Sequence, residues 1–200
     1  MDERTPVGVV VAGGRGRRIG GDKAIVELDG VPLLHYPLAA LQEVCGEVAV
    51  VAKRDTVLPP LRGAVEVWIE PDEPRHPLVG IVHALLRAGG RPILAVAVDL
   101  PLVDAATLRA LARVRLGDAA AAVLTADGRL QPLCALYDPR ALPGLSRFDP
   151  SARTTEIVAA LGIVEVPAPD PSRFLNVNAP EDVLEASLRL HAAARAGGRR

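Results

Sequence analysis

The amino-acid sequence predicts a three-layer α/β/α domain of Rossmann-like architecture on a mostly parallel sheet. Short runs rich in Val and Ile recur along the chain, several are apolar at nearly every position, and segments with helical spacing separate them. A strand that is apolar throughout is buried on both faces, as in a parallel sheet covered by helices. Two hundred residues at 50% hydrophobic and 24% charged suit a single domain over 1–200, and no repeat or long linker divides it.

Strands are expected at 7–12, 48–52, 65–69, 92–98, 119–125 and 133–137, with a weaker one at 163–166. Each is too short for a helix and is bounded by Gly, Pro or charge. A helix over 33–44 follows Pro32, and one over 78–88 stops at Gly89-Gly90. Asp104 is expected to cap a helix reaching about Arg115, and Ser151 or Thr154 another ending at Leu161-Gly162. Asn178 is read as the cap of the last helix, with Glu181 in the capping-box position, before an Ala/Arg/Gly tail. Residues 1–6 and 192–200 are expected to fray. In such sheets ligands sit beyond the carboxyl ends of the strands, so the residues after each strand are the candidates for chemistry.

Composition removes several classes of function. With 23 basic against 24 acidic residues, a net charge of -1 gives no global attraction to nucleic acid or to an anionic membrane. No apolar run approaches the roughly 18–20 residues of a membrane-spanning helix. The first six residues are polar and show no secretory signal, which reads as a cytoplasmic protein. Cys45 and Cys134 stand apart from each other and from the four His, so neither a disulfide framework nor a zinc site is indicated.

The first strand runs into Gly13-Gly14-Arg15-Gly16-Arg17-Arg18-Ile19-Gly20-Gly21-Asp22-Lys23, five glycines and four cations in eleven residues. Glycines let backbone amides approach phosphate oxygens, and the cations supply compensating charge. The dinucleotide fingerprint fails because Ile19 stands where its third glycine belongs, and the ATPase loop fails because Asp22 separates Gly21 from Lys23. Lys23 is one of only two lysines, the other being Lys53, so arginine carries the ordinary surface charge. Farther on, the apolar 92–98 run ends in Asp99-Leu100-Pro101. A carboxylate at the end of a central strand is placed to hold Mg²⁺ against a triphosphate, although the spacing alone also allows Asp99 to cap a turn.

The pattern A-G-G-x(n)-R-x-G-x-D-K after the first strand resembles the molybdenum cofactor guanylyltransferases, nucleotidyltransferases of the nucleotide-diphospho-sugar transferase fold. The D-x-P element at Asp99, Gln131 to Tyr137, and Asn176 to Asp182 carry the resemblance on to about Leu190. It implies transfer of GMP from GTP to the terminal phosphate of molybdopterin, with release of pyrophosphate and Mg²⁺ as cofactor. Lys23, Arg18 and Asp99 would be the catalytic set, with Asp99 the metal ligand. Val11, Ala12, Gly13, Gly14 and a carboxylate after the third strand would join Lys23 and Asp99 in holding the nucleotide. Pro71 leaves that carboxylate open between Glu70 and Asp72, and Asp72 is favoured. Pro77, Gly80, Gln131, Asn176 and Asn178 would meet the acceptor, a role for Asn178 compatible with capping, and the first amides of the helix at Pro77 would be open to an anion.

Three positions depart from the family pattern: His76 where Gly is usual, Val51-Ala52-Lys53 where an Asn is usual, and Ala179 where Thr is common. Ala12-Gly13-Gly14 favours guanine over the cytosine of related cytidylyltransferases, which tend to carry Ala-Ala-Gly. A non-catalytic nucleotide-binding adaptor is the alternative of a different class. A monomer is expected, with transient contacts to cofactor-delivery proteins or acceptor molybdoenzymes.

Overall fold

A computed structural model describes residues 5–16, 18, 19 and 21–197. Arg17 and Gly20 of the glycine-rich loop, and tail residues 1–4 and 198–200, lie outside the described residues. The chain forms β1 (Val7–Val11), α1 (His35–Gln42), β2 (Val48–Ala52), β3 (Val65–Ile69), α2 (Pro77–Arg87), β4 (Ile93–Ala97) and α3 (Ala105–Ala112). It continues with β5 (Ala121–Ala126), β6 (Arg129–Tyr137), α4 (Leu142–Leu145), α5 (Thr154–Ala159), β7 (Ile163–Pro167) and α6 (Pro180–Gly197).

The seven strands form one sheet in the order β7-β5-β6-β4-β1-β2-β3. β4 is its middle strand, and β1 lies beside it in the interior, parallel to β2 and β4, with Val9 opposite both Ala49 and Ala95. β6 alone runs against its neighbours, antiparallel to β4 and β5. The sheet is therefore mixed at this point, and β6 begins at Arg129 rather than at the expected 133. The cause is the Asp127-Gly128 pair, both at positive φ (49° and 70°), which closes a two-residue hairpin onto β5.

Complete burial of β1, β2 and β4 follows from two covering layers. On one face Val10, Val50 and Val96 pack with Leu38 and Leu41 of α1 and Leu108 and Leu111 of α3. On the other, Val9, Ala49 and Ala95 pack with Leu78, Ile81 and Leu85 of α2 and with Leu145 and Val158 of α4 and α5. Each such Leu or Ile contributes about 1.5–3 kcal/mol of burial. Gly8 lets α1 sit close on β1, because a Cβ there would lie 3.2 Å from that of Cys45. Leu28, Leu33, Leu102, Val177 and Ala186 form a third, smaller cluster beneath α6.

Caps follow the sequence in part. Asp104 accepts the Thr107 N–H at 2.9 Å, as expected. Neither Ser151 nor Thr154 caps α5: Arg153 stands at the cap without a side-chain bond, and Ser151 is turned to Asp149. α1 begins at His35 because Val31–Pro32 is taken up by a short ribbon with Glu27–Leu28. α6 runs through Gly197 past the expected fraying point at Ala192, a stretch in which Ala and Arg favour helix.

Candidate active site

The carboxyl ends of β3, β2, β1 and β4 open into one cleft of about 350 Å³, with Gly13 and Gly14 in its wall, Lys53 and Glu70 on one side and Lys23 and Asp99 on the other. This is the crevice beyond the strand ends where open α/β sheets bind ligands.

Lys23 enters from a single 3-10 turn, Lys23–Ile25, after the glycine-rich segment. Its ammonium donates to Asp99 Oδ2 at 2.6 Å and to Asn178 Oδ1 at 2.6 Å. Asp99 follows the buried β4, and its carbonyl accepts the Val177 N–H at 2.9 Å, which ties the loop before α6 to the end of β4. Asp182 fixes the other side of that loop by accepting the N–H groups of Asn178 and Ala179 at 2.8 and 2.9 Å. Asp182, not Glu181, is the acid that serves these amides. The Asn178 side chain is thereby free of the capping duty expected of it and is spent on Lys23. The Lys23 and Asp99 side chains keep 11% and 18% of their surface open.

Lys53 and Glu70 sit deeper, at 8% and 4% side-chain exposure and 3.4 Å apart. Lys53 also donates to the Pro71 carbonyl at 2.7 Å. Burial raises the Glu70 pKa above the usual carboxylate range, against the opposing pull of Lys53. The carboxylate leaves no space around it: a Cβ on Gly13 would lie 2.0 Å from Glu70 Oε1, and one on Gly80 3.0 Å from Oε2. These two glycines therefore admit the carboxylate.

Several expectations are corrected here. The acid after the third strand that reaches the cleft is Glu70, whereas Asp72 is exposed and outside its wall. The Glu70 N–H still bonds the Ala52 carbonyl at 2.9 Å, so Glu70 continues the alternation of β3 and shares a face with buried Trp68. Counting by two from Trp68 would have found it. Lys53, noted in the sequence as one of two lysines and within a departure from the family pattern, lines the cleft. Pro77 lines the cleft, whereas Gly80 is buried between Glu70 and Val11. The start of α2 is not open to an anion, because His76 Nδ1 accepts the Leu78 N–H at 3.2 Å and the His76 carbonyl accepts that of Val79. His76, given no role from sequence, is this cap, and its ring lies against Phe148 with centroids 4.5 Å apart. Arg18 is exposed and outside the cleft wall.

Gln131 and Asn176 line a second concavity of about 840 Å³ together with Arg129, Thr155 and Phe174. Leu133, two residues along β6 from Gln131, lines the first cleft, so one strand borders both. Asn178 stays with Lys23 rather than joining Asn176 in the second concavity. Among the described residues no group of three or more His, Cys, Asp and Glu converges on a metal position.

A central parallel strand ending in a glycine-rich segment, flanked by a lysine and a strand-end carboxylate, defines an α/β nucleotidyltransferase. Residues 8–165 match the MobA-like NTP transferase domain, and the chain belongs to that family. It is 34% identical over 197 residues to the molybdenum cofactor guanylyltransferase of Cereibacter sphaeroides, covering 92% of this chain and 96% of that one. It is 31% identical to a probable molybdenum cofactor guanylyltransferase of Bacillus subtilis, covering 88% and 92%. The fold is shared with molybdopterin-guanine dinucleotide biosynthesis protein A from Archaeoglobus fulgidus, with a TM-score of 0.73, 23% identity, and coverage of 93% of this chain and 99% of that one.

Proposed function

We propose that this protein transfers GMP from GTP to the terminal phosphate of molybdopterin and releases pyrophosphate, with the whole chain acting as one catalytic domain. The observation that carries the reading is the meeting of Lys23, Asp99 and Asn178 beside the Gly13-Gly14 segment. An oxygen of the acceptor phosphate attacks the α-phosphorus of GTP, a new P–O bond forms, and the bond to the β-phosphate oxygen breaks. The acceptor is already anionic, so no side chain needs to act as a nucleophile or remove a proton. The protein's work is to hold two polyanions in line and to offset charge gathering on the leaving group.

Lys23 is placed for that charge. Mg²⁺ suits the same place, since the Asp99 carboxylate and Asn178 carbonyl are hard oxygen donors that already converge on a cation, the Lys23 ammonium. Magnesium sites commonly take one or two protein ligands and leave the rest to phosphate and water. When bound, the ion supplies further charge neutralisation on the triphosphate. The backbone of Val11, Ala12, Gly13 and Gly14 borders the nucleotide, and the base is assigned to the Lys53–Glu70 side, opposite the phosphates. The pterin is assigned to the second concavity, where Phe174 offers an aromatic face and Arg129, Gln131, Thr155 and Asn176 polar groups. The reaction belongs to the cytoplasm, with transient contacts to the proteins that receive the product, and no helix among the described residues is long and apolar enough to cross a membrane.

The test is thermal stabilisation by GTP, CTP, ATP and UTP with Mg²⁺, followed by pyrophosphate release on adding the acceptor. The expected result is a selective GTP shift that weakens in Lys23→Ala. A CTP shift moves the protein to cytidylyl transfer, and nucleotide binding without pyrophosphate release makes it an adaptor.

A further inference from the structure

The backbone N–H groups of residues 177–179, the stretch that brings Asn178 to Lys23, all have fixed partners. Val177 donates to the Asp99 carbonyl at 2.9 Å and is fully buried in the cluster beneath α6. Asn178 and Ala179 both donate to one atom, Asp182 Oδ2, at 2.8 and 2.9 Å. Ala179 stands just before α6, where a hydroxyl or carboxylate ordinarily accepts amides of the first turn. Its methyl group accepts nothing. Asp182, the third residue of α6, reaches back to the Ala179 N–H as the acid of a capping box does, and goes one residue farther to take the Asn178 N–H as well.

We propose that Asp182 is a positioning residue for the transfer, aiming the Asn178 side chain at Lys23 by holding the Asn178 amide. The link is short. Asp182 accepts at the Asn178 backbone, and Asn178 Oδ1 accepts from the Lys23 ammonium at 2.6 Å, which the Asp99 carboxylate also meets at 2.6 Å. Without the carboxylate the Asn178 and Ala179 amides turn to water, while Val177 keeps its bond to the end of β4. Asn178 then loses its fixed place, and Lys23 keeps one partner of two. Misplacing a group near the reacting charge by about 1 Å costs up to about 10²-fold in rate. Asp182 lines neither cleft, so it acts through Asn178 alone. Two roles thus coincide in one carboxylate, starting the helix and aiming the asparagine. A cap at position 179 separates them, because a side chain there reaches amides ahead of it in α6 and not that of Asn178.

Lys23 and Lys53 are the only lysines, so acetylation by acetic anhydride, read by peptide mass spectrometry, follows Lys23 with the more buried Lys53 as internal reference. In Asp182→Ala the labelling of Lys23 is expected to rise several-fold against Lys53. The kcat for pyrophosphate release falls about 10- to 100-fold with the KM for GTP little changed. Adding Ala179→Thr caps α6, keeps the variant folded and returns the lost melting temperature, but leaves the fast labelling and the low kcat. Asp182→Asn keeps an oxygen acceptor and retains slow labelling and most of the turnover. The kinetic arm rests on the GMP-transfer reading, whereas labelling uses no substrate. A protein that transfers no GMP yet shows the labelling pattern loses that reading and keeps this one. Unchanged Lys23 labelling in Asp182→Ala, recovery of labelling and kcat along with melting temperature on adding Ala179→Thr, or labelling in Asp182→Asn as fast as in Asp182→Ala overturns the proposal.

Discussion

Lys23 and Lys53, the chain's two lysines, each meet a carboxylate at the end of a strand. Lys23 is shared at 2.6 Å between Asp99 and Asn178 and stays partly open to solvent. Lys53 lies 3.4 Å from Glu70, nearly closed off, with a glycine on either side of the carboxylate. The same two functional groups thus have different freedom. The open pair is within reach of water and of a ligand in the cleft. The closed pair can only be kept or broken, and it shapes the floor on which the Gly13-Gly14 segment rests. Depth, more than charge, separates the two pairs.

The largest effect expected from breaking this contrast is on turnover. Asp99→Ala should lower the rate of pyrophosphate release by on the order of 10²–10³, with the melting temperature nearly unchanged. Equal loss of rate and folding would erase the distinction between the pairs.

Lys53→Met should cost about 3–5 kcal/mol of stability, because it leaves a buried carboxylate without its partner. Denaturant unfolding measures this. Adding Glu70→Leu should return most of the loss, as replacing a buried ion pair by apolar groups is often neutral or better.

Gly13→Ala should cost about 1–3 kcal/mol, since its methyl carbon cannot share the space of Glu70 Oε1 and the carboxylate must move. The same change at Gly14, where nothing lies within 4 Å, should be close to neutral in the same measurement.

The smallest effect is in the pH profile. Burial raises the Glu70 pKa, so between the unfolded and the folded value the native chain holds more protons than the unfolded chain. Stability from this group is present below the ordinary glutamate value and declines as pH rises through the raised one. Glu70→Gln should remove that slope, read from urea midpoints across the interval.

The sheet was legible where burial on both faces suppresses polar residues, as in β2, which falls at its expected bounds; β3, an edge strand with exposed residues, falls at its expected bounds because Val and Ile and the flanking Gly and Pro mark it. β6 was not, because its first residues, Arg129 to Gln131, are polar and its direction is set by the Asp127-Gly128 turn rather than by the run itself. In the cleft, Lys23 and Asp99 stood out as a rare residue type and a strand-end carboxylate. Asn178 was visible as a polar loop residue, but its partner was not, because Asp182 takes over the amides that a local reading assigns to it. Asp72 was preferred to Glu70 because distance after a strand does not tell which way the pleat aims a side chain. His76 drew no functional role from sequence, where a lone His is more often a surface or capping residue, and it is a cap.

The clasp of Lys23 by Asn178 joins residues 155 apart in sequence, and Asp182 in the first turn of α6 holds the asparagine's loop. During synthesis the sheet's central strands are all made before that clasp can close. A nascent chain halted before Asn178 would carry the glycine-rich segment and Asp99 but not the group that shares the lysine with them. The arrangement of Lys23, Asp99 and Asn178 therefore closes only after every strand of the sheet has been made.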